Sequence, residues 1–295
     1  MNKGSIIFDR VGHVELLVGS NMKRFDGLDF KFSISKIFEG GVQNNAKVGL
    51  LGLNRAHIQY LSTFLDQGTN LATMKRIKVY AGYANGGEQL IFDGDIMHAR
   101  PTIPPNNWLN IEALMRGRRH TKIVSMAING RIKYIDLIRS LASYLGLSLW
   151  IRTGNTREMN RVINGFDCSG SKADLISRIN SIGDLVCCEL ESGTLMVGDR
   201  DVTQISNSAV HVIDYESGLV GIPKFAWPTV QFTMFIDTQI RIWDTVRLHS
   251  EFVPGADGNY IVRSIKYNGQ LRSGGWYMDI EALNTKTPRE YIRGM

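Results

Sequence analysis

Apolar and polar residues alternate most clearly in two stretches that nearly repeat each other, "WLNIEAL" from Trp108 and "WYMDIEAL" from Trp276. The apolar positions recur every second residue in both copies: Leu109, Ile111 and Ala113 in the first, and Met278, Ile280 and Ala282 in the second. A period of two is typical of a β-strand with one buried face. We therefore predict that each copy is a half-buried strand.

The residues upstream of each copy predict that it ends a three-strand meander. The first copy follows the runs "RIKVYAGY" and "EQLIFDGDIMHA", which are separated by the turn "ANGG". The second follows "IRIWDTVRLHS" and "NYIVRSIKY", separated by "PGADG". Short β-rich runs separated by Gly, Asn, Asp and Pro clusters are typical of hairpins. The chain is thus expected to carry two related antiparallel β-domains.

The two copies also predict a register. Ile111 should correspond to Ile280, and Ala113 to Ala282, with all four side chains inside; Glu112 and Glu281 should face outward. A slip of one residue would bury both glutamates, at a cost of several kcal/mol each unless they were paired. Trp108 lies three residues before its isoleucine and Trp276 four, so a bulge or a change of face is expected between the tryptophans.

Between these β-domains the period becomes helical. The run "YIDLIRSLASYLG" predicts a helix that stops at Gly146, and "LSLWI" predicts a strand after it. Ser171 is expected to cap a second helix over "KADLISRINSIG", followed by the hairpin "DLVCCELESGTLMVGD" with its turn at Ser192-Gly193. A further helix, "NRAHIQYLSTFL" from Asn54, should lie within the first β-domain.

The resulting fold class is mainly β with an α+β insertion: two related antiparallel β-barrel domains flanking a small α+β module. The expected domain limits are 1–125 for the first barrel, 126–205 for the middle module and 206–295 for the second barrel.

The composition of the chain excludes few classes of protein. The 295 residues are 43% hydrophobic and 21% charged, as is ordinary for a globular protein, and the formal net charge of +6 allows an acidic partner without requiring one. Charged residues interrupt the N-terminal stretch, so we expect neither a signal peptide nor a membrane span. Three cysteines form no disulfide framework or CxxC pair, which favours folding and assembly in a reducing cytoplasm.

No arrangement of residues predicts a catalytic, cofactor-binding or metal site. The six histidines are scattered: His13, His57, His98, His120, His211 and His249. Asp93 and Asp95 are the candidate carboxylate pair for glycoside hydrolysis, but they share one strand around a glycine, so we expect a turn-edge or solvent-face role instead. Adjacent Cys187 and Cys188 should be one buried and one outward residue, both inert.

Two further stretches leave alternatives open. "DCSGSKAD" at Asp167 precedes a helix and is either an anion site or, as we favour, a plain N-cap. The basic run "MRGRRHTK", with Arg116, Arg118, Arg119 and Lys122, is either a phosphate contact or a solvated linker with salt bridges between subunits; no aromatic residues are interleaved to stack bases. The tail with Pro288, Tyr291 and Ile292 either frays or docks on a neighbour.

Several of these motifs together resemble a known family. Ala81-Gly82-Tyr83, a Gly-rich turn and the strand "FDGDI" resemble the first barrel of baseplate hub proteins from tailed bacteriophages and related contractile injection machines, the late-control protein D family. "GNYIVRSIKY" and the strand from Trp276 resemble the second barrel of that family. One departure is that Trp243-Asp244 stands where the family usually has Pro-Gly.

The resemblance implies a structural protein of the virion, at the tail baseplate, and not an enzyme. Three copies with two similar barrels each would give a pseudo-sixfold ring, with the barrels about sixty degrees apart. Such a homotrimer would join the sixfold tail-tube protein to the threefold central spike protein and line the channel for genomic DNA. Tape-measure and baseplate wedge proteins are further expected partners. The alternatives are a virion-associated cell-wall hydrolase and a nucleic-acid- or ligand-binding barrel protein.

Overall fold

The computed structural model describes residues 9–18, 20–37, 44–62, 75–102, 107–115, 123–190, 193–200 and 210–287. These residues are mostly β-strand and fall into three parts in chain order.

The first β-region contains β1 (Arg10–Val18), β2 (Asn21–Phe25), β3 (Asp29–Ile37), β4 (Asn45–Leu51), α1 (Arg55–Ser62), β5 (Arg76–Tyr83), β6 (Gly87–Pro101) and β7 (Trp108–Leu114). The middle module contains β8 (Val124–Lys133), α2 (Tyr134–Tyr144), β9 (Ser148–Ile151), α3 (Thr156–Met159), β10 (Val162–Gly170), α4 (Lys172–Asn180), β11 (Leu185–Glu189) and β12 (Thr194–Asp199). The second β-region contains β13 (Val210–Ile213), β14 (Leu219–Ala226), β15 (Thr229–Phe235), β16 (Thr245–Leu248), a 3-10 turn (Pro254–Ala256), β17 (Gly258–Gln270) and β18 (Trp276–Asn284).

The two β-regions share one sheet. Its strand order is β14-β15-β18-β17-β3-β4-β7-β6-β5-β1-β2, and β16 with β13 branches from the start of β17. β17 makes this possible because it is long: its first residues pair with β16, and its last seven pair antiparallel with β3, placing Tyr267 opposite Ile34. The buried side chains of both β-regions therefore form one continuous hydrophobic core.

The predicted meanders are present and are related in register. β5, β6 and β7 form the first, and β16, β17 and β18 form the second. Met97 is the extra residue on β6, opposite the step between Glu112 and Ala113. Arg263 is the extra residue on β17, opposite the same Glu-Ala step in β18. A β-bulge at the same position of both meanders is a backbone feature that the short sequence repeat does not reveal.

The burial pattern confirms the predicted register. Ile111 and Ala113 are 1% and 2% exposed, and Ile280 and Ala282 are 1% and 0% exposed. The side chain of Glu112 is exposed and that of Glu281 is half-buried on the opposite face of the sheet.

The tryptophans change face as predicted. Trp276 is buried in the core, whereas Trp108 lies half-buried on the outer face. The bulges lie on the neighbouring strands β6 and β17, and the one-residue offset alone turns the two side chains to opposite faces.

The middle module has its own core between α2, α4 and two small sheets. The Tyr134 hydroxyl donates to the carbonyl of Ile179 at 2.8 Å, which ties α2 to α4. Asn180 brackets the backbone of Cys187 with two hydrogen bonds of 2.7 and 3.0 Å, which joins the end of α4 to β11. Both predicted helices and the β11–β12 hairpin are present, while Ser192 of the expected turn lies outside the described residues.

The sequence predicts a strand from Ile240, but residues 240–244 form a turn and the strand begins only at Thr245. The turn is stabilised by Asp244, whose carboxylate accepts from the Arg241 N–H at 2.8 Å. Trp243 has a φ of 73°, so it adopts the left-handed conformation that favours glycine. This is how Trp243-Asp244 forms a turn without Pro-Gly.

The same turn fastens the middle module to the second β-region. Arg152 pairs with the Asp244 carboxylate at 2.6 Å, and both side chains are nearly buried. The Trp243 indole lies so close to Gly198 that a Cβ there would come within 2.6 Å of the ring. A charged pair and an aromatic contact thus fix this junction.

Candidate assembly surface

One face of the joined sheet is polar across both β-regions. It is formed by the outward side chains of six consecutive strands, β15, β18, β17, β3, β4 and β7. These side chains, which we call the polar face, are Gln231, Thr233, Asp279, Glu281, Lys266, Asn268, Lys31, Ser33, Lys47, Asn110 and Glu112. Strict alternation places them opposite the apolar residues of the core.

A chain of hydrogen bonds crosses the polar face from the second β-region to the first. Thr233 Oγ1 donates to Asp279 Oδ1 at 2.7 Å, and Asn268 Nδ2 donates to Asp279 Oδ2 at 3.1 Å. The Ser33 hydroxyl then donates to Asn268 Oδ1 at 2.9 Å. Four strands are linked in this way, so side chains as well as the backbone hold the two β-regions in register.

Charges on the polar face are mixed. Three lysines, Lys31, Lys47 and Lys266, accompany three acidic residues, Glu112, Asp279 and Glu281. Lys47 lies directly opposite Glu112, and Lys266 directly opposite Asp279. Lys31 places its Nζ 4.6 Å from the centre of the Trp108 ring, a cation–π distance. The surface is hydrophilic and nearly neutral, which is unlike a phosphate-binding groove.

The seam between the regions is closely packed. Phe32 meets Trp276 edge-on with ring centres 5.2 Å apart, and Gly269 leaves room for both rings. The guanidinium of Arg10 donates to the carbonyl of Gln270 at 3.1 Å and lies over the Trp276 ring. Gln270 in turn donates to Asp29 at 3.1 Å. Sequence patterns did not predict this seam, because no local signal says which strand β3 pairs with.

The prediction that Asp93 and Asp95 lie at a turn edge or on a solvent face is wrong, because these residues are only 6% and 3% exposed. Asp93 is held in a two-pronged ion pair by Arg76, whose Nε lies 2.5 Å from Asp93 Oδ1. The hydrogen bond to Asp93 raises the pKa of Arg76. No sequence pattern indicates this burial, because residues 91–96 of β6 are buried on both faces and the partner of Asp93, Arg76, lies on another strand. A carboxylate fixed by a guanidinium is poorly suited to glycoside hydrolysis.

The histidines do not come together. Within the described ranges, no group of three His, Cys, Asp or Glu side chains is arranged to hold a metal ion. His13 is buried, stacked on Tyr80 with ring centres 4.2 Å apart, and contacts Glu88 at 2.7 Å. His249 pairs with Asp257 at 2.7 Å. Both have structural partners.

The remaining candidates have structural roles. Ser171 caps α4 in a capping box with Asp174, confirming the N-cap, and hydrogen bonds from Ser171 lower the pKa of the Asp174 carboxyl. That carboxylate occupies the place of an external anion. Cys187 is fully buried and Cys188 half-buried, as predicted, and burial raises the pKa of the Cys187 thiol, so it is unreactive at neutral pH.

Some predictions fall outside the described residues. These are the basic run with Arg116, Arg118, Arg119 and Lys122, together with His120 and the tail with Pro288, Tyr291 and Ile292. Within the described part of the chain, no helix has the length and apolar character needed to cross a membrane.

Comparison with known families finds one model, described as baseplate hub gp41, that matches residues 13–282. That span covers the middle module and all of both β-regions except the first three residues of β1 and the last two of β18. A search of curated proteins returns no match to this sequence.

Solved structures with the same fold come from tail proteins. The tail protein of Neisseria meningitidis MC58 has a TM-score of 0.63 at 10% identity, covering 96% of this chain and 99% of that one. The 43 kDa tail protein of prophage MuSo2 from Shewanella oneidensis has a TM-score of 0.61 at 10% identity, covering 93% and 97%. The E. coli c3393 protein, a type VI secretion component described as similar to T4 tail proteins gp27 and gp5, gives 0.58 at 4% identity, covering 93% and 77%.

Proposed function

This chain belongs to the baseplate hub gp41 family, and from that membership we propose that three copies form a ring between the tail tube and the central spike. The coarser role, a structural component of a phage tail, follows from the family itself. The ring would present two similar β-regions per copy to a sixfold tube and threefold surfaces to the spike. Assembly would take place in the host cytoplasm.

The observation that carries the proposal is the matched bulge. Met97 and Arg263 interrupt equivalent strands at the same Glu-Ala step, so the two β-regions share a backbone plan and not only a tetrapeptide. Two such regions in one chain can occupy nearly equivalent places around an axis, about sixty degrees apart.

The polar face is the surface we assign to the channel. Its side chains are hydrophilic, and its lysines and acidic residues are interspersed, so a passing duplex would meet no continuous positive stripe that holds phosphates. Four equivalent strands per region, β3-β4-β7-β6 and β14-β15-β18-β17, give eight per chain. Three chains would then surround a channel at least about 37 Å across between backbones, since strands lie about 4.8 Å apart and tilt widens a barrel.

We assign the middle module, within domain limits of 126–205, to contacts with the spike or with peripheral baseplate proteins, including wedge proteins. It lies outside the duplication and so need not follow sixfold equivalence. It also exposes apolar side chains, notably Tyr144, Ile151 and Val162. If removal of this module left spike attachment intact, the assignment would be wrong.

The competing functions have weaker support. A cell-wall hydrolase needs convergent catalytic groups, and the candidate Asp93 is tied to Arg76. A nucleic-acid-binding barrel needs a basic, aromatic-rich face, and the polar face balances its charges. Purified chain is therefore expected to leave peptidoglycan turbidity at the buffer level.

The ring itself is tested by imaging tails and by sedimentation of the isolated chain. We expect threefold particles at the junction of tube and spike, and a species of three times the monomer mass. A chain absent from purified tails, or one whose β-regions stack along the axis, would refute the proposal.

The channel assignment has its own test. The variant Glu112→Lys with Glu281→Lys makes the polar face basic, so tails should assemble while DNA delivery slows. The matched control is Glu216→Lys with Glu251→Lys, which changes net charge equally at exposed positions away from that face. Equal rates of DNA delivery by the two variants would show that the polar face does not line the channel.

A further inference from the structure

Two equivalent residues, one in each β-region, attach a different part of the chain to the shared strands. Lys75 directly precedes β5, and Asp244 directly precedes β16. They are equivalent because the next residues, Arg76 and Thr245, each pair with the residue two places before a bulge. Lys75 and Asp244 are nearly buried, with exposed fractions of 6% and 8%. Their charges are opposite, so they attract different partners.

The two side chains hold elements that lie outside the shared strands. The ammonium of Lys75 donates to the carbonyls of Tyr60 and Leu61 in the last turn of α1, where a helix leaves its oxygens without an intrahelical partner. The carboxylate of Asp244 accepts from Arg152 of the middle module at 2.6 Å. The same position therefore holds α1 in the first β-region and the middle module in the second.

The backbone at both positions also holds the bulged strand. The carbonyl of Lys75 accepts from the Ile96 N–H at 2.9 Å, and the carbonyl of Asp244 accepts from the Val262 N–H at 3.0 Å. Ile96 and Val262 are the residues directly before the two bulges. A bulge bends its strand and leaves one residue unpaired, so its geometry depends on the hydrogen bonds beside it. In each region, one residue thus joins an attached element to a bulge.

In the second β-region the turn before β16 is also strained. Trp243 has a φ of 73°, which costs free energy for a residue that has a Cβ. The Trp243 N–H donates to the Val262 carbonyl at 2.8 Å, and the indole ring lies against Gly198 of the middle module. Because the ring contact and the neighbouring ion pair both need the module in place, the strained conformation depends on the position of the module.

The rest of this junction is apolar and less specific in position. Met196 of the middle module belongs to the main core, and Trp150 packs against that core. Burial of apolar surface is non-directional, so it tolerates small displacements of the module. The ion pair between Arg152 and Asp244 and the close fit at Gly198 are directional, and they fix one position.

We propose that the turn at residues 241–244 is a conformational latch that transmits the position of the middle module to β17. With the module in place, Arg152 holds Asp244, and the Val262 hydrogen bond fixes the bulge. When the module is displaced, the turn relaxes to unstrained backbone and releases the Val262 N–H.

The latch connects the module to the polar face. Beyond the bulge, β17 pairs with β3 and carries Lys266 and Asn268 of that face. A partner that pulls on the middle module therefore changes the strand that bears these side chains. All of the contacts lie within one chain, so the latch does not depend on the proposed trimer.

Hydrogen exchange of single backbone amides in the full chain tests the latch. Arg152→Met removes the guanidinium and keeps an apolar stem in its place. Exchange at Val262 should become at least about tenfold faster, while Ile96 keeps its wild-type rate, because local opening exposes only the amides that it releases.

A second variant acts from the other side of the junction. Gly198→Ala places a Cβ 2.6 Å from the Trp243 ring and should displace the module, again speeding exchange at Val262 but not at Ile96. Gly255→Ala is the matched control, because a Cβ there has nothing within 4 Å. The control should leave both amides at their wild-type rates.

The reverse test uses the first β-region. Lys75→Met removes the ammonium from the last turn of α1, so exchange at Ile96 should rise at least about fivefold while Val262 stays unchanged. Acceleration confined to the amide beside the altered anchor supports the latch. Unchanged exchange at Val262 in either Arg152→Met or Gly198→Ala overturns it. Equal acceleration at Val262 and Ile96 also overturns it, because that result means general destabilisation.

Discussion

The two β-regions share a backbone plan but fill it with different side chains. An aromatic ring lies across a glycine in both long strands, but the two residues have exchanged places. In β6, the Phe92 ring covers Gly94; in β17, the Tyr260 ring lies against Gly258. By register, Phe92 corresponds to Gly258 and Gly94 to Tyr260. Both β-regions thus place one ring beside one glycine, with the identities of the two positions exchanged.

A second difference is electrostatic. The first β-region holds the partly buried Arg76–Asp93 ion pair, and the equivalent residues of the second are Thr245 and Asn259. The strands occupy the same positions, so the ion pair is not required for this part of the fold. A buried ion pair is weak evidence of net stabilisation, because desolvation offsets much of the attraction. The register of the core, common to both regions, is the stronger determinant.

The largest expected effect tests that shared core. Ile111→Ala and Ile280→Ala should each lower the free energy of unfolding by about 2–5 kcal/mol, because both side chains are fully buried. Equivalent packing predicts that the two losses agree within about 1 kcal/mol. Urea unfolding of the two variants measures this, and a loss confined to one of them would show that the regions are not energetically equivalent.

A smaller effect separates the exchanged glycines. A Cβ on Gly94 would lie 2.6 Å from the Leu114 carbonyl oxygen and from the Phe92 ring, whereas a Cβ on Gly258 would lie 3.5 Å from its nearest neighbour. Gly94→Ala should therefore cost about 1–3 kcal/mol through overpacking. Gly258→Ala should stay within about 0.5 kcal/mol of wild type. Thermal unfolding distinguishes them, and equal losses would contradict the packing described for β6.

The ion pair can be replaced by the residues of the other region. Asp93→Asn leaves the half-buried Arg76 without its partner and should lower the free energy of unfolding by about 1–2 kcal/mol. The loss is no larger because solvent screens the partly exposed Arg76. The double variant Arg76→Thr with Asp93→Asn copies the second region and should recover much of that loss. A double-mutant cycle in urea gives the coupling. If the double variant lost more free energy of unfolding than the two single variants together, the ion pair would be specifically needed.

Sequence alternation was sufficient to predict the meanders, the α+β module, the Ser171 cap and the inward set around Ile111 and Ile280. These features depend on local periods of two and 3.6 residues and on short capping patterns. It did not predict the seam between β17 and β3, because pairing between distant strands has no local signature. It also misplaced Asp93, since an Asp beside a glycine in a strand resembles a turn until its partner on β5 is known.

The smallest expected effect concerns the polar face, where the two glutamates have different cross-strand neighbours. Glu112 lies opposite Lys47, whereas Glu281 lies opposite Gln231. Opposite charges facing each other across strands contribute about 0.2–1 kcal/mol, and salt screens them. Glu112→Gln should therefore lower the free energy of unfolding by a few tenths of a kcal/mol at low salt, with the difference vanishing at high salt. Glu281→Gln should change it by less than about 0.3 kcal/mol at either salt concentration. Unfolding in urea at two ionic strengths measures both variants together. A loss of several kcal/mol in either one would mean that the glutamate is buried, and the outward register of the polar face would then be wrong in that region.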